Sequence, residues 1–386
     1  MIFRSKKYNV FNKGINFVGP VNAMNGLGVS ARGYISALSK TNLPLNVLPW
    51  HTGFERVKKM DFQYPNCSEQ SLNIVHLNFD IMSGLKLLNV RPLSRLIDRS
   101  HYNICIPYWE LQSIPFEWFK TINQFDEIWC ASKFMASSLE AITSRPVKNV
   151  YPALDWDIEP SNKTRSNFRL PENKFLFFYA ADAGSGFGRK NLFGYIDAYI
   201  REFKPNEGSC CVCKIGYVAQ KSAELIKILG LIKNRKDIVL IQEFLTEEDM
   251  AALFKQIDCY VSPHRSEGLG LTILEAMAAA KPVIATPYGG PRDFINAETA
   301  FPIEYALTEV KLGNEPYPSG YIWAEPSLDS IRKQMRLVFS SQEEAKRRGQ
   351  LGKLLVEQMF SYKQTSKIMN VELTRIFQTF LNKISD

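Results

Sequence analysis

The feature that most constrains this chain is an alternation that occurs twice. Apolar runs of strand length alternate with amphipathic runs of helix length, first from GINFVGPV to KNVYPAL and again from FLFFYAAD to PVIATP. Strands separated by helical stretches cannot pair as hairpins; they build βαβ units and a parallel sheet with helices on both faces. The first series has strand candidates GINFVGPV, LNVLPW, LNIVHLNF, YNICIPYW, EIWCAS and KNVYPAL. Its helical stretches include ARGYISALSK, RPLSRLIDRS, PFEWFKTINQF and SKFMASSLEAI. The second runs FLFFYAAD, NLFGYIDAYIREF, CCVCKIGYV, SAELIKILGLIKN, DIVLIQEF, TEEDMAALFKQI, DCYVSP, TILEAMAAA and PVIATP. Between them residues 155–174, DWDIEPSNKTRSNFRLPENK, are polar and without period, and read as a linker. Residues from about 328 onward read as helices.

The expectation is an α/β chain of two doubly wound, Rossmann-like domains. Residues 1–160 form the first, 161–362 the second, and 363–386 a helix that returns to the first. Ligands of such sheets bind outside the carboxyl ends of the strands, so two such edges imply an interdomain cleft with a donor side and an acceptor side.

Composition narrows the class. No run approaches the ~20 apolar residues of a membrane span, and the basic start MIFRSKKYNVFNKG lacks the apolar region of a signal peptide. The expectation is a cytoplasmic chain. The seven cysteines include no C-x-x-C pair, and His51, His76, His101 and His264 are far apart, so reduced core thiols are expected and no metal site. The glycosylation-like triplets at 66–68 and 162–164 then read as chance. Net charge is +8, with most of the excess in residues 1–165. Arg91, Arg95 and Arg99 are spaced as a helical stripe, either a solvated face or a surface toward anionic lipid or acceptor. No nucleic-acid motif accompanies the charge.

An early stretch, NGLGVSARG at 25–33, offers a test of the nucleotide reading. Gly26, Gly28 and Ala31 have the G-x-G-x-x-A spacing of a dinucleotide turn. Such a turn needs an acid at the end of the next strand to hold the ribose. Here the first acid is Glu55, well past that strand, and the residues NAM separate the first strand from the glycines. An NAD-dependent oxidoreductase is therefore disfavoured.

Residues 262–293, SPHRSEGLGLTILEAMAAAKPVIATPYGGPRD, carry the densest chemistry. A strand, the turn SEGLG and a helix leave free backbone N–H groups as an anion site. Gly268 and Gly270 let backbone approach a phosphate or sugar. Glu267 and Glu275 are two helical turns apart, and a carboxylate can accept from a vicinal diol. On spacing alone Glu267 is also readable as a helix-start acid, and Glu275 as an acid on a mostly buried helix that needs a partner.

SEGLGLTILEAMAAAKPVIAT followed by GG resembles the E-x7-E signature of glycosyltransferase family 4, retaining enzymes of the GT-B fold. ADAGSGFGRKNLFGYIDAYIREF resembles the start of the donor domain in one bacterial branch of that family, with its D..S...RKN segment. YWELQSIPFEWFKTINQFDEIWCASKFMASSL and NGLGVSARGYISAL resemble parts of its acceptor domain. The resemblance implies that Glu275 holds the donor ribose and that Glu267 stands near the donor sugar. It implies backbone contacts from Gly268, Leu269, Gly270 and Leu271, and places Phe244 and Leu245 near the nucleobase. Arg189 and Lys190 match the pair on the donor diphosphate, and Gly26, Leu27 and Gly28 the glycine loop of the first domain. It further implies a nucleotide-diphosphate sugar as donor, a glycan or lipid-linked acceptor, a setting in bacterial surface polysaccharide synthesis, no cofactor and no metal.

The residues support the basic pair independently. GSGFGRKN is a glycine loop between a strand and a helix, so Arg189 and Lys190 are expected at the helix start, where cations oppose the dipole and call for an anion. The chain departs from many family members in having Tyr108, Trp109 and Glu110 where they carry a histidine. Glu110 is a candidate acceptor or sugar contact; Trp109 is either core or a sugar platform; His264 either points into the cleft or is a satisfied structural histidine. The rivals are a metal-dependent transferase using Asp155-x-Asp157, and an epimerase or phosphorylase of the same fold.

Overall fold

The computed structural model describes residues 12–50, 70–82, 97, 101–154, 158–181, 186–216 and 223–385. Arg91, Arg95, Arg99, His51, Glu55, Cys67, Asp155, Asp157, Asp182 and Ser185 lie outside them. The chain divides into two compact units. One comprises Met1–Trp109, Ser113–Asp155 and Met359–Asp386; the other Glu110–Gln112 and Trp156–Gln358.

In the first unit the strands are β1 (Asn12–Gly19), β2 (Leu45–Pro49), β3 (Gln70–Val75), β4 (Tyr102–Cys105), β5 (Glu127–Cys130) and β6 (Val147–Asn149). They pair in parallel in the order β2-β1-β3-β4-β5-β6. Helix α1 (Gly26–Leu38) follows β1 and α2 (Lys133–Glu140) follows β5. Each is capped by the residue before it: Asn25 accepts from the Gly28 amide and Ser132 from that of Met135. The stretch PFEWFKTINQF yields only a 3-10 turn, Phe116–Trp118, and one helical turn, Phe119–Ile122.

Four asparagines cross this sheet in register. Asn46 donates to Asn16 at 3.1 Å, Asn16 to Asn73 at 3.0 Å, Asn73 to Asn103 at 2.9 Å, and Asn103 to the His101 carbonyl at 3.1 Å. All four are buried. An amide carries donors and an acceptor on one short side chain, so a row of them satisfies itself where any single one would be costly. Phe17, Ile74, Ile104, Trp129 and Tyr34 fill the core, joined by Met369, Leu373 and Ile376 from the C-terminal end of the chain.

Those last residues belong to a long helix, Tyr362–Ser385, that packs on α1. Arg375 from it reaches the fully buried Glu127, with Nη2 at 2.7 Å and 2.5 Å from the two carboxylate oxygens. Trp129 Nε1 and the Tyr102 hydroxyl donate to the same carboxylate.

The second unit has β7 (Phe175–Ala181), β8 (Ser209–Ile215), β9 (Ile238–Ile241), β10 (Cys259–Ser262), β11 (Val283–Ala285) and β12 (Phe301–Pro302), all parallel, in the order β12-β11-β10-β7-β8-β9. Counted within the unit and read from the other edge, this is 3-2-1-4-5-6, the doubly wound order of dinucleotide-type folds. Between these strands run α3 (Phe187–Lys190), α4 (Leu192–Glu202), α5 (Ala223–Ile232), α6 (Glu247–Gln256) and α7 (Leu271–Ala278). An antiparallel hairpin that the alternation does not foretell, β13 (Tyr305–Glu309) and β14 (Ile322–Pro326), precedes α8 (Leu328–Ser340) and α9 (Gln342–Phe360). The C-terminal helix, α10, is the one already described.

The polar stretch read as a linker is irregular yet held. Arg165 donates to the carbonyls of Pro171, Glu172, Lys174 and Gln256 and pairs with Asp258 at 3.0 Å. Ser161 and Lys163 bind Asp249. The described cysteines are free and buried. Among the described residues no helix is long and apolar enough to cross a membrane, and no group of His, Cys, Asp or Glu gathers as metal ligands.

Candidate active site

In the second unit β7 and β10 are neighbours, yet the chain leaves them toward opposite edges of the sheet. Loops that diverge in this way open a crevice at the carboxyl ends, where ligands of such sheets bind. The basic pair follows β7 and the glutamate loop follows β10.

After β7, Gly186 turns the chain at φ +80° into α3, which is only four residues long. Arg189 and Lys190 occupy its last turn, not a helix start, so the dipole does not oppose their charge there. The helix start belongs to Asn191, in the left-handed region at φ 54°, which caps α4 through the Gly194 amide and donates to the Pro263 carbonyl. The backbone of the pair is held at three successive carbonyls. Arg265 Nη1 donates to Gly188 at 2.6 Å, the Arg265 amide to Arg189 at 2.7 Å, and the Tyr179 hydroxyl to Lys190 at 2.6 Å. Arg265 is itself fixed by two bonds to Glu325, at 2.7 Å and 2.8 Å.

Both cations converge on Glu267. Lys190 Nζ is 2.5 Å from Oε1, and Arg189 Nη1 is 3.2 Å from Oε2 while also donating to the Ser266 carbonyl at 2.8 Å. Burial acts to raise the Glu267 carboxyl, but Lys190 and Arg189 outweigh it and hold it at about 2. Burial likewise works against the charge on Arg189, and Glu267 and Glu110 reverse that, leaving it firmly cationic. Glu267 is therefore no helix-start acid: α7 begins four residues later, after Gly270 at φ +87°.

Two glycines downstream shape the loop. A Cβ on Gly289 would lie 2.2 Å from the Glu267 carbonyl, and one on Gly290 2.2 Å from that of Gly268. Gly289 has φ +77°, and the Gly290 amide donates to the Glu267 carbonyl at 2.8 Å. Only glycine admits this contact.

Glu275 lies on α7, partly buried, and no donor among the described residues reaches its carboxylate. Burial, with the nearby Glu247 charge, raises it to about 7. The charges of Glu267 and Glu275 are both felt at the Tyr260 hydroxyl, which burial foremost pushes up.

The other candidates divide. His264 is fully buried; its Nε2 donates to the Tyr288 carbonyl at 3.2 Å and its Nδ1 meets the Ser262 hydroxyl at 3.0 Å. Burial lowers it to about 4, so it is a neutral structural histidine. Trp109 is core: its indole donates to the Ser113 carbonyl at 2.8 Å and packs edge-on against Trp118. Glu110, of the second unit, accepts from the Tyr317 hydroxyl at 3.1 Å and lies 4.0 Å from Arg189 Nη2, and the Ser266 hydroxyl donates to its carbonyl. Phe244 is exposed, whereas Leu245 is turned inward, so of the pair only Phe244 offers a side chain. Leu269 is buried, and with Gly268 and Gly270 it can present only backbone. Leu271 opens α7 half-buried.

In the first unit, Gly26, Leu27 and Gly28 are the first turn of α1 itself, not a turn before it. The Gly28 amide is occupied by Asn25 at 3.1 Å, and a Cβ there would lie within 1.9 Å of the Ala23 carbonyl. This glycine is required for close packing of the helix on the preceding turn, and its N–H is not available to a phosphate.

Tyr179, Arg265, Ser266 and Tyr317 join the site without a spacing or motif that marks them in the sequence. For Asn191, which also joins it, there is a signal, an N-cap residue before an amphipathic run; the others act through tertiary contacts that spacing does not reveal.

The family described as "Glycosyl transferases group 1" matches residues 161–354, half of the chain. The chain belongs to this family. Among curated relatives, the O-antigen biosynthesis glycosyltransferase WclY of Escherichia coli is 28% identical over 168 residues, 42% of this chain and 43% of that protein. A sucrose synthase of Melioribacter roseus is 36% identical over 81 residues, 19% of this chain and 10% of that protein. The chain thus spans less than half the length of the curated relatives it matches. Among solved structures, sucrose-phosphate synthase from Thermosynechococcus elongatus superposes with a TM-score of 0.69 over 95% of this chain and 100% of that one, at 13% identity. Anabaena HepE in complex with UDP and glucose gives 0.65 over 94% and 100%, at 12% identity. The fold of this group 1 glycosyltransferase is GT-B.

Proposed function

We propose that this group 1 transferase is a retaining enzyme of glycosyltransferase family 4, of the bacterial branch with the RKN segment, and that it moves a hexose from a nucleotide-diphosphate sugar. The observation that carries the reading is one carboxylate, Glu267, gripped by Arg189 and Lys190 at the switch point of the sheet, with Glu275, which no donor among the described residues reaches, eight residues on. In this reading Glu275 accepts from the ribose diol, backbone at Gly268, Leu269 and Gly270 meets sugar and phosphate, and Phe244 lies by the base. Arg189 and Lys190 take the diphosphate.

The chemistry follows from charge. As the sugar C1–O bond to phosphate breaks, negative charge grows on the leaving diphosphate, and preorganised cations stabilise it at no reorganisation cost. The acceptor hydroxyl forms its bond to C1 on the face the diphosphate leaves, and its proton passes to a leaving phosphate oxygen. Metal is not required in this scheme, because the two cations supply the charge. The name of the Escherichia coli relative supports a polysaccharide or lipid-linked acceptor, and the surplus of Lys and Arg in residues 1–165 supports work at the inner face of a membrane.

Thermal stabilisation by UDP-, GDP-, ADP- and dTDP-sugars tests the reading, with UDP-glucose first because of the HepE complex. One donor should raise the melting temperature, and its turnover should continue in excess chelator with the anomeric configuration kept. Absence of stabilisation by every donor would overturn the donor assignment, an inverted product the stereochemistry, and full loss in chelator the metal independence.

A further inference from the structure

Among the described residues Arg189 has two carboxylates around it, and they are not held alike. Glu267 is bound by both cations, at 2.5 Å and 3.2 Å, and its side chain is 10% exposed. Glu110 stands 4.0 Å from Arg189 and is 21% exposed. Its better contact is the Tyr317 hydroxyl at 3.1 Å. The Tyr317 ring in turn lies over the Arg189 guanidinium, 5.8 Å from centroid to Cζ. The Ser266 hydroxyl donates to the Glu110 carbonyl, which anchors the backbone that carries this carboxylate beside the arginine. Among the described residues two cations face two carboxylates here, so their charges offset, which is a poor state for receiving a diphosphate.

We propose that Glu110 is a resident anion that the donor diphosphate displaces from Arg189, and that the Tyr317 hydroxyl holds the displaced carboxylate. The inference rests on the assignment of Arg189 to the diphosphate made above. Glu267 is the wrong group to be displaced, because its removal would strip both cations at once. Glu110 leaves one cation, keeps a hydrogen bond, and faces solvent more. It sets the affinity for diphosphate, and so discriminates against weakly charged ligands.

The probe is inorganic pyrophosphate, which carries the diphosphate without committing to a base or sugar. By calorimetry on the full chain, Glu110→Gln should bind it on the order of tenfold more tightly at low salt, with a steeper loss of affinity as salt rises. The amide still accepts from Tyr317, so the fold is spared. Tyr317→Phe should weaken pyrophosphate binding in the wild type and leave it unchanged in the Glu110→Gln background. A merely structural role for Glu110 would not change the salt slope. Equal or weaker binding by Glu110→Gln, or tighter binding by Tyr317→Phe, would overturn the proposal while leaving the donor assignment standing. If neither wild type nor variant binds pyrophosphate or any of UDP, GDP, ADP and dTDP, the donor assignment falls and this proposal with it.

Discussion

Lys190 and Glu267, 77 positions apart in sequence, meet at 2.5 Å in a site that excludes most water. Each element around them serves that meeting: Tyr179 and Arg265 hold one backbone, Gly289 and Gly290 admit the other. Glu267→Gln removes the shared anion and leaves two cations facing each other. Breaking a buried pair in this way costs ~3–5 kcal/mol. The variant should melt lower than wild type, turn over ~10²–10³-fold more slowly, and gain more melting temperature from a nucleoside diphosphate than wild type gains. Differential scanning fluorimetry with and without UDP or GDP measures this; equal gains would refute it.

The two motif glutamates titrate in opposite directions. Glu267 is depressed, so its stabilisation is fully present above its unfolded value of 4.5 and is lost as pH falls toward about 2. Glu275 is raised to about 7, so the folded state carries a penalty that is absent below pH 4.5, grows as pH rises to about 7, and is constant above. Glu275→Gln should therefore stabilise the chain by ~1–3 kcal/mol at pH 8 and change nothing at pH 4. If Glu275 holds the ribose diol, the same variant loses nucleoside diphosphate affinity. Denaturant melts at both pH values, with calorimetry at pH 8, check the pair of effects.

Gly290→Ala places a methyl against the Gly268 carbonyl and the Leu269 Cα. Relief requires the loop that carries Glu267 to shift. The cost to folding should be ~1–3 kcal/mol, and kcat should fall well beyond what the unfolded fraction explains. Steady-state kinetics at a temperature where the variant is fully folded separates the two; a normal kcat there would show that the loop position is unimportant.

Arg375 is the charged partner of the fully buried Glu127. Arg375→Gln leaves that carboxylate with neutral donors alone, and should cost about 2–4 kcal/mol, less than a deeper pair because the arginine is partly in water. Adding Glu127→Gln should recover much of the loss. Urea melts of the single and double variants measure the coupling; simple additivity would argue against it.

Much of the fold was legible because periodicity is local. Eleven of the twelve strands in the two parallel sheets overlap runs that alternate as βαβ requires, while the two-residue β12, Phe301–Pro302, is too short to stand out. The hairpin of Tyr305–Glu309 and Ile322–Pro326 escaped notice because its first strand is largely exposed and has no apolar run. The glutamate loop was visible through its glycines and spacing. What spacing could not show is where charges end up. Arg189 and Lys190 looked like cations awaiting an anion, whereas folding brings Glu267 and Glu110 to them. Gly28 fits the spacing of a phosphate loop, yet the same small residue lets a helix crowd the turn before it.

The asparagine row has a consequence for how the first sheet recognises its own strands. Each amide gives its hydrogen to the next in one sense, from Asn46 through Asn16 and Asn73 to Asn103, and the series stops at the His101 carbonyl, which can only receive. That carbonyl therefore dictates the orientation of every amide behind it. A strand slipped by one residue would present an aliphatic or aromatic side chain to the row, and a strand in the wrong place would break the series in the middle. The four residues act as a spelling check on strand order, written across the sheet instead of along the chain.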